Sequence, residues 1–102
     1  MPHVAWSPRA ASDVSRLRRF LHEKSPRAAI RAIEAVFDGV EMLRRFPESG
    51  RPAEEYGDGR RERIVRFGRS AYLILYRYDG QAVLILAIRH SREADYPDLI
   101  GS

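Results

Sequence analysis

The chain is 102 residues long, a length that predicts one domain with a hydrophobic core of its own. It contains no cysteine, which excludes a disulfide scaffold, a thiolate metal site and a cysteine nucleophile. Basic residues outnumber acidic ones by 18 to 14, and because Lys24 is the only lysine, the other 17 are arginine. A basic domain of this size favours a polyanionic partner, either a nucleic acid or an acidic protein segment, although a solvated arginine-rich surface is the alternative.

The N-terminal half predicts a strand followed by two helices. Residues 3–6 form a short run of β-formers that stops at Ser7 and Pro8, where a serine cap and a proline suit the start of a helix over residues 8–23. The same pair recurs at Ser25 and Pro26, and apolar residues then repeat at helical spacing until Pro47. Because the link between the helices is short, we expect an antiparallel helical hairpin.

The C-terminal half predicts a loop and then three strands. Residues 47–59 are rich in Pro, Gly, Glu and Asp, and strands are expected at residues 61–67, 71–78 and 81–90. The tail, residues 91–102, is poorly specified. The whole predicts an α+β fold in the order β-α-α-β-β-β, with a helical hairpin packed on one face of a small, mainly antiparallel sheet.

The last hairpin has a predicted register. If Asp79 and Gly80 form a two-residue turn, Tyr78 pairs with Gln81. One face of the hairpin then carries Leu73, Leu75, Leu84, Leu86 and Ile88, with His90 at its far end, and the other carries Tyr72, Ile74, Tyr76, Val83, Ile85 and Ala87, with Arg89 at its far end.

Both faces of this hairpin are therefore apolar, and a helical hairpin covers only one of them. The other face needs the tail, a second copy or a partner, because large exposed apolar patches mark binding sites. We expect a partner on the face that carries Leu73. The alternative is that the tail covers it through Tyr96, Leu99 and Ile100.

Three segments carry a resemblance to a known family. SPRAASDV at residues 7–14 resembles the Ser-Pro-x-Ala-x-x-Asp-Leu opening of the RelE/ParE superfamily of toxins, and FPESGRP at residues 46–52 resembles its Pro-x-x-Gly-Arg-Pro loop. YLILYRYDG at residues 72–80, followed by a strand that ends in a histidine, resembles its Tyr-x-Ile-x-Tyr-x-x-Asp-Gly hairpin. The resemblance extends over residues 3–96, with the motifs in the family's order.

The resemblance implies the toxin of a type II toxin–antitoxin module, which stabilises a plasmid or a chromosome. It implies a single domain over residues 1–102, a cytoplasmic location and no cofactor. The residues themselves predict no membrane association and no metal, since no apolar run reaches transmembrane length and no His, Asp and Glu residues form a metal-like constellation. The implied partner is an acidic antitoxin that forms a hetero-oligomer with the toxin, and its flexible segment folds on binding. On this chain the antitoxin is expected on the face formed by Leu73, Leu75, Leu84, Leu86 and Ile88.

The superfamily contains two mechanisms, and the sequence favours the ParE-like one, in which the toxin inhibits DNA gyrase by binding. RelE-like members instead cleave messenger RNA on the ribosome, and they carry an arginine after the tyrosine that starts the middle strand and two lysines on the preceding strand. Here Leu73 follows that tyrosine, and Ile64 and Arg66 stand at the lysine positions. If the chain were a nuclease, its catalytic residues would be His90, Arg92, Arg66 and Tyr96. A third alternative is a non-toxic remnant that only binds its antitoxin.

Four arginines are expected to contact the target or another anionic partner: Arg61, Arg63, Arg69 and Arg89. The alternative is that the arginines of residues 61–69 protect a sheet edge from aggregation. His90 has two interpretations as well, since it is either a general base or phosphate contact, or a strand-end histidine that is satisfied locally.

Overall fold

The computed structural model describes residues 2–93 and residue 96. The elements are β1 (His3–Trp6), α1 (Pro8–Lys24), α2 (Pro26–Arg45), β2 (Arg51–Pro52), a 3-10 turn (Glu54–Tyr56), β3 (Arg60–Phe67), β4 (Ser70–Tyr78) and β5 (Ala82–His90). The strands form one sheet in the order β1-β5-β4-β3-β2, in which β1 is parallel to β5 and the other pairs are antiparallel. The predicted α+β fold is confirmed, and β2 and the 3-10 turn are additions within the predicted loop.

Two serine–proline pairs start the helices, as predicted. The Ser7 side chain accepts a hydrogen bond from the Ala10 amide at 3.0 Å, which satisfies one of the free N–H groups of the first turn of α1. Ser25 both ends α1 and caps α2, since its amide donates to the Leu21 carbonyl and its side chain accepts from the Ala28 amide. This single residue between the helices makes the hairpin tight. Neither helix in the described part of the chain is long and apolar enough to span a membrane.

The main core lies between the helical hairpin and one face of the sheet, which we call the inner face. Its buried residues come from both helices and from the three long strands. They are Ala10, Val14, Leu17, Ala32, Ile33, Val36, Val40, Leu43, Val65, Tyr72, Ile74, Tyr76, Val83, Ile85 and Ile88. The opposite surface, the outer face, carries Glu62, Ile64, Arg66, Leu73, Leu75, Leu84, Ala87 and Arg89.

The turn between β4 and β5 is longer than predicted. The last cross-strand pair is Tyr78 with Val83, so Tyr78 does not pair with Gln81. The Asp79 carboxylate accepts hydrogen bonds from the amides of Gln81 and Ala82, at 2.9 and 2.8 Å. This side-chain cap adds to a main-chain hydrogen bond across the turn, in which the Asp79 amide donates to the Ala82 carbonyl at 3.3 Å.

A β-bulge in β5 changes the predicted faces. Leu75 pairs with Ala87 and Tyr76 pairs with Ile85, so Leu86 is an extra residue on β5. From this point the alternation is reversed. The prediction that Ile88 shares a face with Leu73 is therefore wrong, because Ile88 is fully buried in the core under the helices.

The same bulge exchanges the faces on which the last side chains of β5 lie. His90 pairs with Tyr72 and lies on the inner face, whereas Arg89 pairs with Leu73 and lies on the outer face together with Ala87. The sequence register placed each of these three residues on the opposite side. The pattern of the strand alone does not reveal the extra residue, because both of its faces are apolar.

The chain covers much of the outer face itself. Leu75 is fully buried and Leu73 is 8% exposed, in a second cluster with Ala53, Ala87 and Tyr96. The expectation that this surface needs a partner is wrong for these two leucines. The alternative that Tyr96 of the tail covers them is confirmed, while Leu99 and Ile100 lie outside the described residues.

Candidate functional site

The first family-like motif positions strand β5 at its bulge. β1 pairs with β5 only as far as Ile85, and polar side chains of the α1 segment satisfy the backbone beyond that point. The Ser7 hydroxyl donates to the Leu86 carbonyl at 3.0 Å, and the buried Asp13 carboxylate accepts from the Ile88 amide at 2.9 Å. Arg16 donates to the Ile88 carbonyl. The motif thus stabilises the bulge through these hydrogen bonds.

The second motif fixes the loop after α2. The Gly50 amide donates to the Tyr76 hydroxyl at 2.9 Å, and a Cβ at this position would lie 2.7 Å from that oxygen and 2.9 Å from the Glu62 carbonyl oxygen. Glycine is needed here because any side chain would overlap the sheet. Arg61 holds the same loop by donating to the carbonyls of Glu48 and Gly50.

A buried carboxylate lies on the outer face, beside the edge strand β2. Glu62 is 2% exposed. One of its oxygens accepts hydrogen bonds from two guanidinium nitrogens of Arg51, at 2.5 and 3.1 Å, and the other accepts from the Tyr96 hydroxyl at 2.5 Å. A buried charge needs both a counter-ion and hydrogen-bond donors. This cluster supplies them, and it ties the edge strand β2 and Tyr96 to β3.

Tyr96 is held on several sides. Its ring packs edge-on against Tyr56, with 5.1 Å between the ring centroids, and the guanidinium of Arg89 lies over the ring at 5.2 Å. Burial and the hydrogen bond to Glu62 raise the pKa of the Tyr96 hydroxyl above its ordinary value. The phenol therefore stays protonated and serves as a donor to the carboxylate.

His90 lies on the inner face, at the end of β5. Its ring packs edge-on against Tyr72, and its Nδ1 accepts a hydrogen bond from the Arg92 amide at 3.0 Å. Burial, followed by the charges of Arg92 and Lys24, lowers the pKa of His90, and Glu93 opposes that change. The imidazole is thus favoured in its neutral form and is satisfied locally, as the second interpretation of this residue expects.

The structure brings His90 and Arg92 together but separates them from the other two candidate nuclease residues. Tyr96 and Arg66 belong to the outer face, whereas His90 lies on the inner face and Arg92 is exposed in the turn after β5. The Tyr96 hydroxyl also donates its hydrogen bond to the Glu62 carboxylate. Within residues 2–93 and 96, no three His, Cys, Asp or Glu side chains are placed to hold a metal ion.

The four arginines assigned to an anionic partner have different surroundings. Arg61 and Arg63 bind the loop after α2, the latter through the Ser49 hydroxyl at 3.1 Å. Arg89 donates to the Glu93 carbonyl and stacks on Tyr96. Arg69 is exposed at the turn between β3 and β4. Three of the four therefore make contacts within the chain that stabilise the fold.

Sequence analysis missed the cluster of Glu62 and Arg51. Arg51 was noticed only as part of the glycine–arginine–proline loop, and Glu62 was not singled out. A signal was present, since Glu62 is the only acidic residue in a strand that is otherwise arginine and apolar. The strand alternation places it beside buried Leu75, where a carboxylate needs a partner.

A comparison with protein families identifies the chain. The model of the ParE toxin of type II toxin–antitoxin systems, parDE, matches residues 4–95. The chain belongs to the ParE toxin family. It is thus the toxin component of a type II toxin–antitoxin system, which implies a cognate antitoxin as its partner.

The chain is also similar to two named toxins and to one solved structure. The chain is 39% identical over 93 residues to Toxin RelE3 of Caulobacter vibrioides, covering 91% of this chain and 98% of that protein. It is 38% identical over 90 residues to Toxin RelE1 of the same organism, covering 88% of this chain and 94% of the relative. A structure of the chromosomal ParDE system from P. aeruginosa shares the fold, with a TM-score of 0.66, 24% identity, and coverage of 86% of this chain and 94% of that one.

Proposed function

We propose that this ParE-family toxin acts by binding DNA gyrase and not by cleaving RNA. The observation that carries the proposal is the separation of the candidate nuclease residues across the sheet. His90 is on the inner face, while Tyr96 and Arg66 are on the outer face. General acid–base chemistry needs the base and the phosphate-binding groups within hydrogen-bond reach of one substrate.

Two further features of the outer face support this proposal. Leu73, at the position where RelE-like sequences carry an arginine, is 8% exposed and cannot bind a phosphodiester. The Tyr96 ring packs against Tyr56 and lies under the Arg89 guanidinium, so a base stacking on this ring would have to displace contacts within the chain. A protein that acts by binding needs no such catalytic group.

The experiment is a supercoiling assay with purified gyrase and purified toxin. We expect the toxin to inhibit supercoiling, and its expression in cells to cause filamentation and a DNA-damage response. The His90→Ala variant should inhibit as the wild type does, because His90 has no catalytic part in this mechanism. Addition of the antitoxin should restore supercoiling.

A ribosome-dependent endoribonuclease is the second candidate, and Arg66 and Arg89 on the outer face favour it. If translation stops, messages are cut within codons and His90→Ala abolishes the cutting, the nuclease function replaces the gyrase proposal. If expression of the wild type leaves growth and supercoiling unaffected, the chain is a remnant that only binds its antitoxin.

We also propose that the antitoxin contacts the outer face where it stays accessible. Leu84 and Leu86 are partly buried, in contrast to Leu75. Leu84→Asp should weaken the complex, whereas Leu75→Asp would unfold the toxin. If the Leu84→Asp variant binds the antitoxin with unchanged affinity, the antitoxin does not contact this surface.

A further inference from the structure

Helix α1 extends past the end of the sheet that it covers. Arg16 still reaches β5, where it donates to the Ile88 carbonyl, but the helix continues to Lys24 while β5 ends at His90. Each further helical residue adds about 1.5 Å, so the C-terminal turns of α1 overhang the end of β5 and the start of β4. A cavity of about 580 Å³ lies beneath this overhang, and we call it the α1 cavity.

The helix supplies an apolar wall to the α1 cavity. Leu17 is buried in the main core, Leu21 packs against that core, and Phe20 is 50% exposed although it is aromatic. Sites for small molecules are typically cavities of about 300–1,000 Å³ with apolar walls and a few polar groups. The size and the walls of the α1 cavity therefore fit a small molecule with an apolar body.

The polar groups of the α1 cavity are mainly basic. They include Arg16, Lys24, His90 and Arg92. Glu93 is the one carboxylate among the described lining residues, and it is paired with Arg16 at 2.7 Å. Within residues 2–93 and 96, neither Lys24 nor Arg92 forms an ion pair. Two cations at the rim are thus left without a counter-ion, and they favour an anionic ligand.

Cationic and apolar groups lie side by side in the α1 cavity. The Lys24 ammonium is 4.8 Å from the centre of the Phe20 ring. His90 Nδ1 accepts from the Arg92 amide, so the neutral imidazole carries its proton on Nε2, which can donate to a ligand. A ligand that uses all of these groups has an anionic head next to an apolar body.

Other occupants fit the α1 cavity less well. The chain itself leads away from it, since Glu93 lies at the rim and Tyr96 is already buried on the outer face. A nucleotide base needs several uncharged hydrogen-bonding partners for its edges. Among the described lining residues, only the Ser70 hydroxyl and the His90 imidazole are of this kind.

We infer that the α1 cavity binds a small amphipathic anion. Its carboxylate or phosphate head lies between Lys24 and Arg92, and its apolar body packs on Leu17 and Phe20. This site is separate from the outer face proposed for the antitoxin, and it does not depend on whether gyrase or the ribosome is the target.

NMR titrations of the isotope-labelled toxin with octanoate, octyl phosphate and 1-octanol test the inference. We expect at least one of the two anions to bind saturably with a Kd of about 1 mM or lower, and octanol to bind at least about tenfold more weakly. The largest shifts should fall on the amides of Phe20, Ser70 and His90, and the tighter of the two anions identifies the head group. The inference is overturned if neither anion saturates, if octanol binds as tightly, or if the shifts lie elsewhere.

Variants at the rim provide a second test. Lys24→Gln and Arg92→Gln change exposed side chains, and each should weaken binding of the anion at least about threefold, because each removes one cation. Arg45→Gln, at the opposite end of the helical hairpin, is the matched control and should bind as the wild type does. Unchanged affinity in a variant that carries both rim substitutions would overturn the inference.

The single lysine allows a direct observation of the head group. Because Lys24 is the only lysine, reductive methylation with ¹³C-formaldehyde places one side-chain probe at the rim and keeps its positive charge. The NMR signal of this probe should shift when the anion is added and stay in place when octanol is added. A signal that does not respond to a bound anion would show that the head group does not lie at Lys24, and the inferred site would be wrong.

Discussion

Removal of the Tyr96 hydroxyl tests the buried cluster on the outer face. Tyr96→Phe keeps the ring that covers Leu73 and Leu75 but deletes the donor to Glu62. A hydrogen bond to a charged group contributes about 1.5–3 kcal/mol. Because Arg51 still neutralises the carboxylate, we expect a loss of about 2 kcal/mol in the free energy of unfolding, which lowers Tm by on the order of 10 °C in a domain of this size.

Thermal and urea denaturation of the two proteins measure this loss. Tyr78→Phe is the matched control, since it deletes the same hydroxyl from a partly buried tyrosine on the inner face. A double-mutant cycle with Glu62→Gln isolates the contact, and we expect a coupling energy of about 1 kcal/mol or more between the two positions. The argument is refuted if Tyr96→Phe unfolds within about 0.5 kcal/mol of the wild type, or if its cost is unchanged in the Glu62→Gln background.

Three other substitutions probe the fold and its pH dependence. Asp13→Ala should lower the free energy of unfolding by about 3 kcal/mol, measured by urea denaturation, because it removes the acceptor of the Ile88 amide and a buried counter-ion. Gly39→Ala should also destabilise, despite a gain of about 1 kcal/mol in helix propensity, because its Cβ would lie 2.5 Å from Val65 Cγ2 and force a shift that costs about 1–3 kcal/mol. The wild type should lose stability as the pH falls below 6.5, the ordinary pKa of histidine, because the pKa of His90 is lowered in the folded chain and the unfolded chain therefore binds more protons there. In His90→Gln, melting curves over the same range should show a weaker pH dependence.

Exposed neighbours provide the controls for these three variants. Ser12→Ala and Asp38→Ala change helix residues that face solvent, and both should leave stability nearly unchanged. His22→Gln removes another histidine, and it should keep the pH dependence that His90→Gln reduces. These expectations are contradicted if Asp13→Ala or Gly39→Ala unfolds with the same free energy as the wild type. They are also contradicted if the stability of His90→Gln and that of His22→Gln depend equally on pH.

The helices and most strand positions were predictable from the sequence because their signals are local. A serine that caps and a proline in the first turn define the start of each helix within four residues of chain. Alternation and turn residues place β3, β4 and β5 to within one residue of their observed starts. The resemblance of three short motifs to the RelE/ParE superfamily was sufficient to identify the family.

The site was less predictable, because the contacts that build it join distant parts of the chain. Glu62 and Tyr96 are 34 residues apart, and neither residue alone signals the other. The antitoxin face was predicted with Ile88 in it, and the bulge removes that residue. Leu73 and Leu75 were correctly placed together but are covered by the chain itself.

Capping, periodicity and turn chemistry act within a few residues, so the segments that become helices and strands can be derived from the chain's local patterns, and the short motifs indicate the family. Which side chains of β5 face the helices depends instead on contacts between distant segments. That choice depends on the extra residue Leu86, and the bulge is held by Ser7 and Asp13, more than 70 residues away along the chain. Side chains alternate with a period of two, so one added residue exchanges the faces, and no local pattern in an apolar strand records it.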